Sequence, residues 1–440
     1  MYLTFKRGLP GRVSEEATEE LESRSWKGTL RTLGARIRLA LPQMPTYGNL
    51  KYLLPLGPAL LIAIDLFDPA SILSLTVAGS LFQYALLWTT FYSVIMLIIV
   101  QDMAARLGIV TKKTYPENLY DTYGRRAALG MMLPSTFLDV TTLVAEIIAL
   151  GLAASIITHQ NYLWLGPVLA IATRGLVWTG KYTWIRAGAL SFIGVMAAAY
   201  AVLAYFSHPS LSAIALNAFI PKVGNSSEFY YAAGIVGAQV ATTYIALHSG
   251  LVNENGWSER REISKGRRDT ITSLLIGGVI SALPILVAAK LLSNTDPSSF
   301  NDIFQGISNA LAPWAGYIFC VAVIASAFAA VTAVDAGSAY AFVGFAGWRD
   351  RLNSKRFKLI YTGFIAVSVF MIELNLNPLQ YIILSQVFIA FLLPSVVFPL
   401  VWLTNNPKIM GEEYVNRRWQ TIAGYAIGAL GTALVLASLL

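Results

Sequence analysis

Two carboxylates and a proline stand together inside an apolar run, Leu61-Ile62-Ala63-Ile64-Asp65-Leu66-Phe67-Asp68-Pro69-Ala70-Ser71. In a bilayer, a charge at the middle of such a run costs at least about 3 kcal/mol on insertion scales, so the acid must face a polar cavity or a partner. Pro69 offers no backbone N–H and disfavours helical geometry at the residue before it. The helix should therefore break beside Asp68 and leave carbonyls free. A carboxylate next to free carbonyls is a hard oxygen set suited to a cation. The same residues also suit a kink whose acid pairs with a base on another helix.

A second run, Gly234-Ile235-Val236-Gly237-Ala238-Gln239-Val240-Ala241-Thr242-Thr243-Tyr244, holds no charge. Gly237 and the two threonines weaken a helix there, and the small residues leave room for hydroxyl and carbonyl ligands or for close helix packing. Asp139 and Glu146 lie seven apart on one helix face, where they form a proton or ion path or pair with Arg174. Asp335 and Arg174 read as structural. His248 is the one histidine within a span, either a gate for proton transfer or a hydrogen-bonded helix contact.

The elements that must position these groups are membrane helices. The 440 residues are 56% hydrophobic and 13% charged, and the mean hydropathy of +0.59 belongs to a membrane class. Apolar runs of about 18 residues or more give eleven spans, at about 53–80, 84–107, 129–157, 162–180, 184–206, 230–251, 270–293, 313–346, 358–374, 379–403 and 419–440. Lys and Arg concentrate in alternate connections, which puts the N-terminus in the cytoplasm and the C-terminus outside. The net charge of +8 is spread over these connections and forms no nucleic-acid stripe. The only cysteine, Cys320, allows no internal disulfide. No phosphate loop, Cys/His zinc spacing or nucleophile elbow is present, so an enzyme is not expected.

Ten of eleven spans divide into two sets of five with opposite orientation, an inverted repeat. The expected domains are a cytoplasmic tail at 1–50 and a transporter domain at 51–440, with repeat one at 51–206, repeat two at 230–403 and an extra helix at 419–440. Folds of this LeuT-like kind place the substrate near the midplane, where the first helix of each repeat, spans one and six here, is discontinuous.

Leu56-Gly57-Pro58 with Asp68-Pro69-Ala70-Ser71 resembles the first-helix signature of the NRAMP divalent-metal transporters. Similar likenesses run from Ala105 to Thr111, at Ala145-Glu146, at Gly237-Ala238 with Leu247-His248-Ser249, and at Leu384-Ser385-Gln386-Val387 with Leu393-Pro394. The resemblance covers nearly the whole chain from about residue 50. It implies a metal site between spans one and six: Asp68 as the binding aspartate, Ser71 in place of the family's asparagine, backbone carbonyls at Asp65 and Ala238, and Gln386 nearby. The family's Met-Pro-His falls on Ala241, Thr242 and Thr243. Its helix-three glutamate falls on Glu146 and its second helix-six histidine on His248; an acid of its proton route is replaced by Leu143.

Losing the methionine removes the soft ligand that discriminates against Mg and Ca. The remaining all-oxygen set resembles that of the NRAMP-related magnesium transporters, a branch with weak or absent proton coupling. The expectation is therefore a monomeric cell-membrane importer of Mg2+ or Mn2+, with metal ligands Asp68, Ser71, Asp65, Ala238, Ala241, Thr242 and Gln386, and with Glu146, His248, Thr243 and Asp139 as proton or gating groups. The metal is cargo and no cofactor is expected. Alternatives are a proton-coupled Mn2+/Fe2+ symporter, a non-transporting sensor on the same scaffold, and a transporter of another small solute.

Overall fold

The computed structural model describes residues 57–178, 182–240, 243–372 and 377–440. Ala241, Thr242, the tail at 1–50 and the side chains of Asp65 and Arg174 lie outside the described residues. Everything regular in the described chain is helical.

The first apolar run is interrupted. Helix α1 (Ala59–Ile62) tightens into a 3-10 turn over Ala63–Phe67, Asp68 is extended at φ −64° and ψ 166°, and α2 (Pro69–Phe82) begins with proline in its first turn. Asp68 thus leaves the helical region where the following proline requires it. Next come α3 (Leu87–Thr111) and α4 (Tyr115–Thr158). The latter starts earlier than the apolar run because Thr114 and Glu117 form a reciprocal cap, and Gly124, at φ 79°, turns the chain between a polar first segment and the span itself. Helices α5 (Tyr162–Trp178), α6 (Tyr182–Ser207) and the short α7 (Leu211–Asn217) complete the first half.

The second half opens with another interruption. Helix α8 (Ser226–Gln239) ends at Val240, whose φ of −124° and ψ of 47° are not helical, and α9 (Thr243–Glu254) resumes beyond it. The seventh apolar run forms two pieces, α10 (Ile263–Ser281) and α11 (Leu283–Leu291), with Pro284 in the first turn of the second. The single 270–293 span read from hydropathy missed this joint, because an apolar run carries no mark of a bend except its proline. Helices α12 (Phe300–Ala310), α13 (Pro313–Phe345), α14 (Lys355–Ile372), α15 (Pro378–Asn405), α16 (Pro407–Met410) and α17 (Arg418–Ala437) follow.

Within the described residues, helix covers most of each expected apolar stretch. Among the described residues, eight helices are long and apolar enough to cross a membrane, and Pro69–Phe82 and Tyr162–Thr173 are shorter apolar helices. The packing is paired in the sense of a repeat. Helices α4 and α13 hold the centre, α3 packs on α10, and α15 lies along α4 as α6 lies along α13. Helix α15 also runs tightly along α8 and α17.

Two close approaches fix the interrupted helices. A Cβ on Gly237 of α8 would collide with the Gln386 carbonyl and stand 2.8 Å from the Ala390 nitrogen of α15, so only glycine permits this seam. At the start of α1, the backbone N–H groups of Gly57 and Ala59 donate to the Asp269 carboxylate of α10, at 2.9 Å for Ala59. These are N-terminal helix donors with no partner inside their own helix. Gly237→Val should destabilise the protein by about 1–3 kcal/mol through overpacking, read as a lowered Tm of the purified chain.

Candidate metal centre

The two interruptions face each other. The Ser71 hydroxyl of α2 donates to the Ala238 carbonyl near the end of α8 at 3.2 Å, tying span one to span six. Asp68 is the N-cap of α2, and its carboxylate accepts from the Ser71 backbone N–H at 2.6 Å. This bond orients the carboxylate at a helix N-terminus, where the dipole favours a negative charge. Both residues are buried.

The break also frees carbonyls, and two side chains from other helices take them. Gln239 Nε2 donates to the Leu66 carbonyl at 3.2 Å, and Ser326 Oγ of α13 donates to the Phe67 carbonyl at 2.6 Å. Sequence reasoning passed over both. Gln239 adjoins the expected break in span six and was legible in principle; Ser326, one of two serines in a 33-residue apolar helix, carries no signal of its own.

Glu146 of α4 is fully buried, and its carboxyl reaches that of Asp68. Two acids in contact away from water repel unless a cation or a proton lies between them. Among the described residues, no three His, Cys, Asp or Glu side chains converge on one point. Among the described residues the centre brings together two carboxylates, Asp68 and Glu146, with the Ser71 hydroxyl and the Ala238 carbonyl beside them, which are hard oxygen groups.

The other expected residues divide between centre and periphery. Gln386 is buried on α15, with Nε2 donating to Ser385 Oγ at 3.0 Å and Oε1 accepting no hydrogen bond among the described residues. Thr243 opens α9 and packs against Gly337 of α13. His248 pairs through Nδ1 with Gln101 Oε1 of α3 at 3.1 Å, and its Nε2 is buried without a partner among the described residues. Asp139 is buried two helical turns before Glu146, about 10 Å along α4. Asp335 is fully buried, and neither carboxylate oxygen is hydrogen-bonded among the described residues. Ala241 and Thr242 lie outside those residues, as does the Asp65 side chain; the Asp65 backbone is part of the 3-10 turn.

Residues 59–440 match the model of the family described as Natural resistance-associated macrophage protein-like. The chain is 27% identical over 392 residues to the divalent metal cation transporter MntH of Bacillus subtilis (strain 168), an alignment covering 87% of this chain and 91% of the relative. It is 28% identical over 393 residues to MntH of Mycobacterium tuberculosis (strain H37Rv), covering 86% and 89%. Its fold matches that of a manganese transporter of Eremococcus coleocola, solved with an aromatic bis-isothiourea compound, at a TM-score of 0.74 and 23% identity over 90% of this chain and 88% of the other. A nucleobase-cation-symport-1 family transporter in a closed conformation matches at 0.60 and 16%, over 87% and 92%.

Ser326→Ala leaves the Phe67 carbonyl buried without its donor. It should cost about 1–3 kcal/mol, whereas Ser326→Thr, which keeps the hydroxyl, should lose less; thermal unfolding of both variants checks this.

Proposed function

Because this chain belongs to the Natural resistance-associated macrophage protein-like family, we propose that it carries a divalent metal cation across the cell membrane by alternating access, with Mg2+ or Mn2+ as cargo. The observation that carries the reading is the Asp68 carboxylate at the break of span one, with Glu146 against it and no ion pair to a base among the described residues. A dication between the two acids removes the repulsion that either would otherwise impose on the other. Relatives named as divalent metal cation transporters align along more than four-fifths of the chain, which supports the cargo class.

Asp68 is the primary ligand in this proposal, with Ser71, Asp65, Ala238, Ala241, Thr242 and Gln386 around it. A set without sulfur suits a hard, partly hydrated ion. The N-terminus and the tail at 1–50 are cytoplasmic and the C-terminus is outside; the repeats are 51–206 and 230–403, and 419–440 is the additional helix. In this orientation the tight α8–α15 seam closes the outer face.

The membrane potential suffices as driving force. A divalent ion crossing about 100 mV gains roughly 4.6 kcal/mol, enough to hold a gradient on the order of a thousandfold. Leu143, where the resemblance expects an acid of the proton route, favours weak or absent coupling. The contact between Glu146 and Asp68 favours a second reading, proton-coupled symport, in which the arriving cation expels a proton held by the acid pair.

In liposomes, Asp68→Ala should reduce Mn2+ and Mg2+ uptake by on the order of tenfold to a hundredfold, through loss of a charged ligand. Uptake of both ions driven by potential alone, with no lumenal acidification, is the expected result. Flux that needs an imposed pH gradient and loses that need in Glu146→Gln selects the symport reading. Absence of metal binding by titration calorimetry, unchanged by Asp68→Ala, defeats both.

A further inference from the structure

Away from the centre, the ends of α3, α10 and α17 enclose a cleft of about 400 Å3 that transport of a metal ion does not require. Three arginines line it: Arg106 on α3, Arg267 on α10 and Arg417 immediately before α17. Two acids, Asp102 and Glu413, share the cleft. Asp102 is already committed, accepting from Arg267 Nε at 2.9 Å and Nη2 at 3.4 Å and from Gln420 Nε2 at 3.3 Å. Counting these five side chains, the cleft keeps one net positive charge, three minus two. Beside it, Arg260 stacks on the Tyr414 ring at 5.0 Å.

The buried member of the set is the informative one. Arg106 is 5% exposed. Its two terminal nitrogens donate to the Val415 carbonyl and to Asn416 Oδ1, while its Nε is buried with no hydrogen-bond partner among the described residues. A guanidinium N–H without an acceptor in a desolvated wall is costly, and guanidinium donors fit phosphate oxygens.

The wall deeper in the membrane names the source of the phosphate. Ile98, Ile99 and Ile271 line the cleft. One turn further toward the bilayer centre, Ile95 on α3, Leu275 on α10 and Ile422 on α17 are 55%, 52% and 69% exposed. A phosphate seated at the arginines would therefore have apolar surface directly beneath it, as acyl chains need. Trp419, 55% exposed at the cleft rim, stands where amphipathic rings gather at headgroup level. In the proposed orientation these helix ends face the cytoplasmic leaflet, which carries the anionic lipids.

We propose that the cleft between α3, α10 and α17 is a binding site for the phosphate headgroup of an anionic phospholipid, with Arg106, Arg267 and Arg417 as its donors. The ligand chemistry is a phosphate diester carrying acyl chains. Binding braces the ends of three helices from separate parts of the chain, and it does not depend on which ion is carried.

The test titrates the full-length protein in detergent with dioleoyl phosphatidylglycerol, dioleoyl phosphatidylcholine or inorganic phosphate, following Tm and lipid adducts in native mass spectra. Phosphatidylglycerol should raise Tm and persist as an adduct, and Arg267→Gln with Arg417→Gln should weaken its binding about tenfold. Arg417→Gln alone, at an exposed position outside the helix, should fold normally and lose about threefold. An equal shift with phosphatidylcholine, a full shift with inorganic phosphate alone, or unchanged phosphatidylglycerol binding in Arg417→Gln overturns the proposal.

Discussion

A helix broken inside a membrane leaves carbonyls with no water to accept from, and each one left unpaired costs several kcal/mol. The centre of this protein is organised by that constraint. Pro69 ends the ladder of span one and Asp68 caps the helix that restarts after it; the orphaned Leu66 and Phe67 carbonyls are then taken by Gln239 and Ser326. Ser71 does the same service for Ala238 across the gap. Three helices are thereby pinned to one point, and the backbone of α8 must lie directly on α15, which Gly237 allows. An irregular backbone at this depth survives because protein donors replace the missing solvent.

The distribution of charge follows the same logic. Ion pairs such as Glu117 with Arg351, at 2.7 Å, and Asp102 with Arg267 sit at helix ends, within reach of water or headgroups. The Asp68 and Glu146 carboxyls, by contrast, meet deep inside the bundle. A desolvated pair of acids is unstable as a structural element and is retained where a cation or proton is to be bound. Helix-end ion pairs and an interior acid pair are thus two answers to one desolvation cost.

Much of the fold could be read along the chain because its causes are local. Apolar length marks the spans, and Asp68-Pro69 announces a break whatever surrounds it. The break in span six was weaker in sequence, resting on Gly237 and two threonines, and the bend at Ser281 to Leu283 was not seen. The cap between Asp269 and the start of α1 joins residues 210 positions apart, a distance at which a single sequence offers no signal.

The candidate site was legible in its residues and only partly in its arrangement. Asp68, Ser71 and Ala238, the positions the resemblance picked out, come together, and Glu146, read as a proton or gating group, stands against Asp68. His248 turns to Gln101, a neighbour that spacing along one helix does not identify. Sequence by itself determined which residues are apolar, where the backbone must fail and that an acid sits at the failure, since these depend on side chains and on neighbours within one turn. Tertiary structure alone decided which donors satisfy the freed carbonyls and which acid faces which, because those contacts depend on how separate helices rotate and slide against one another as they pack.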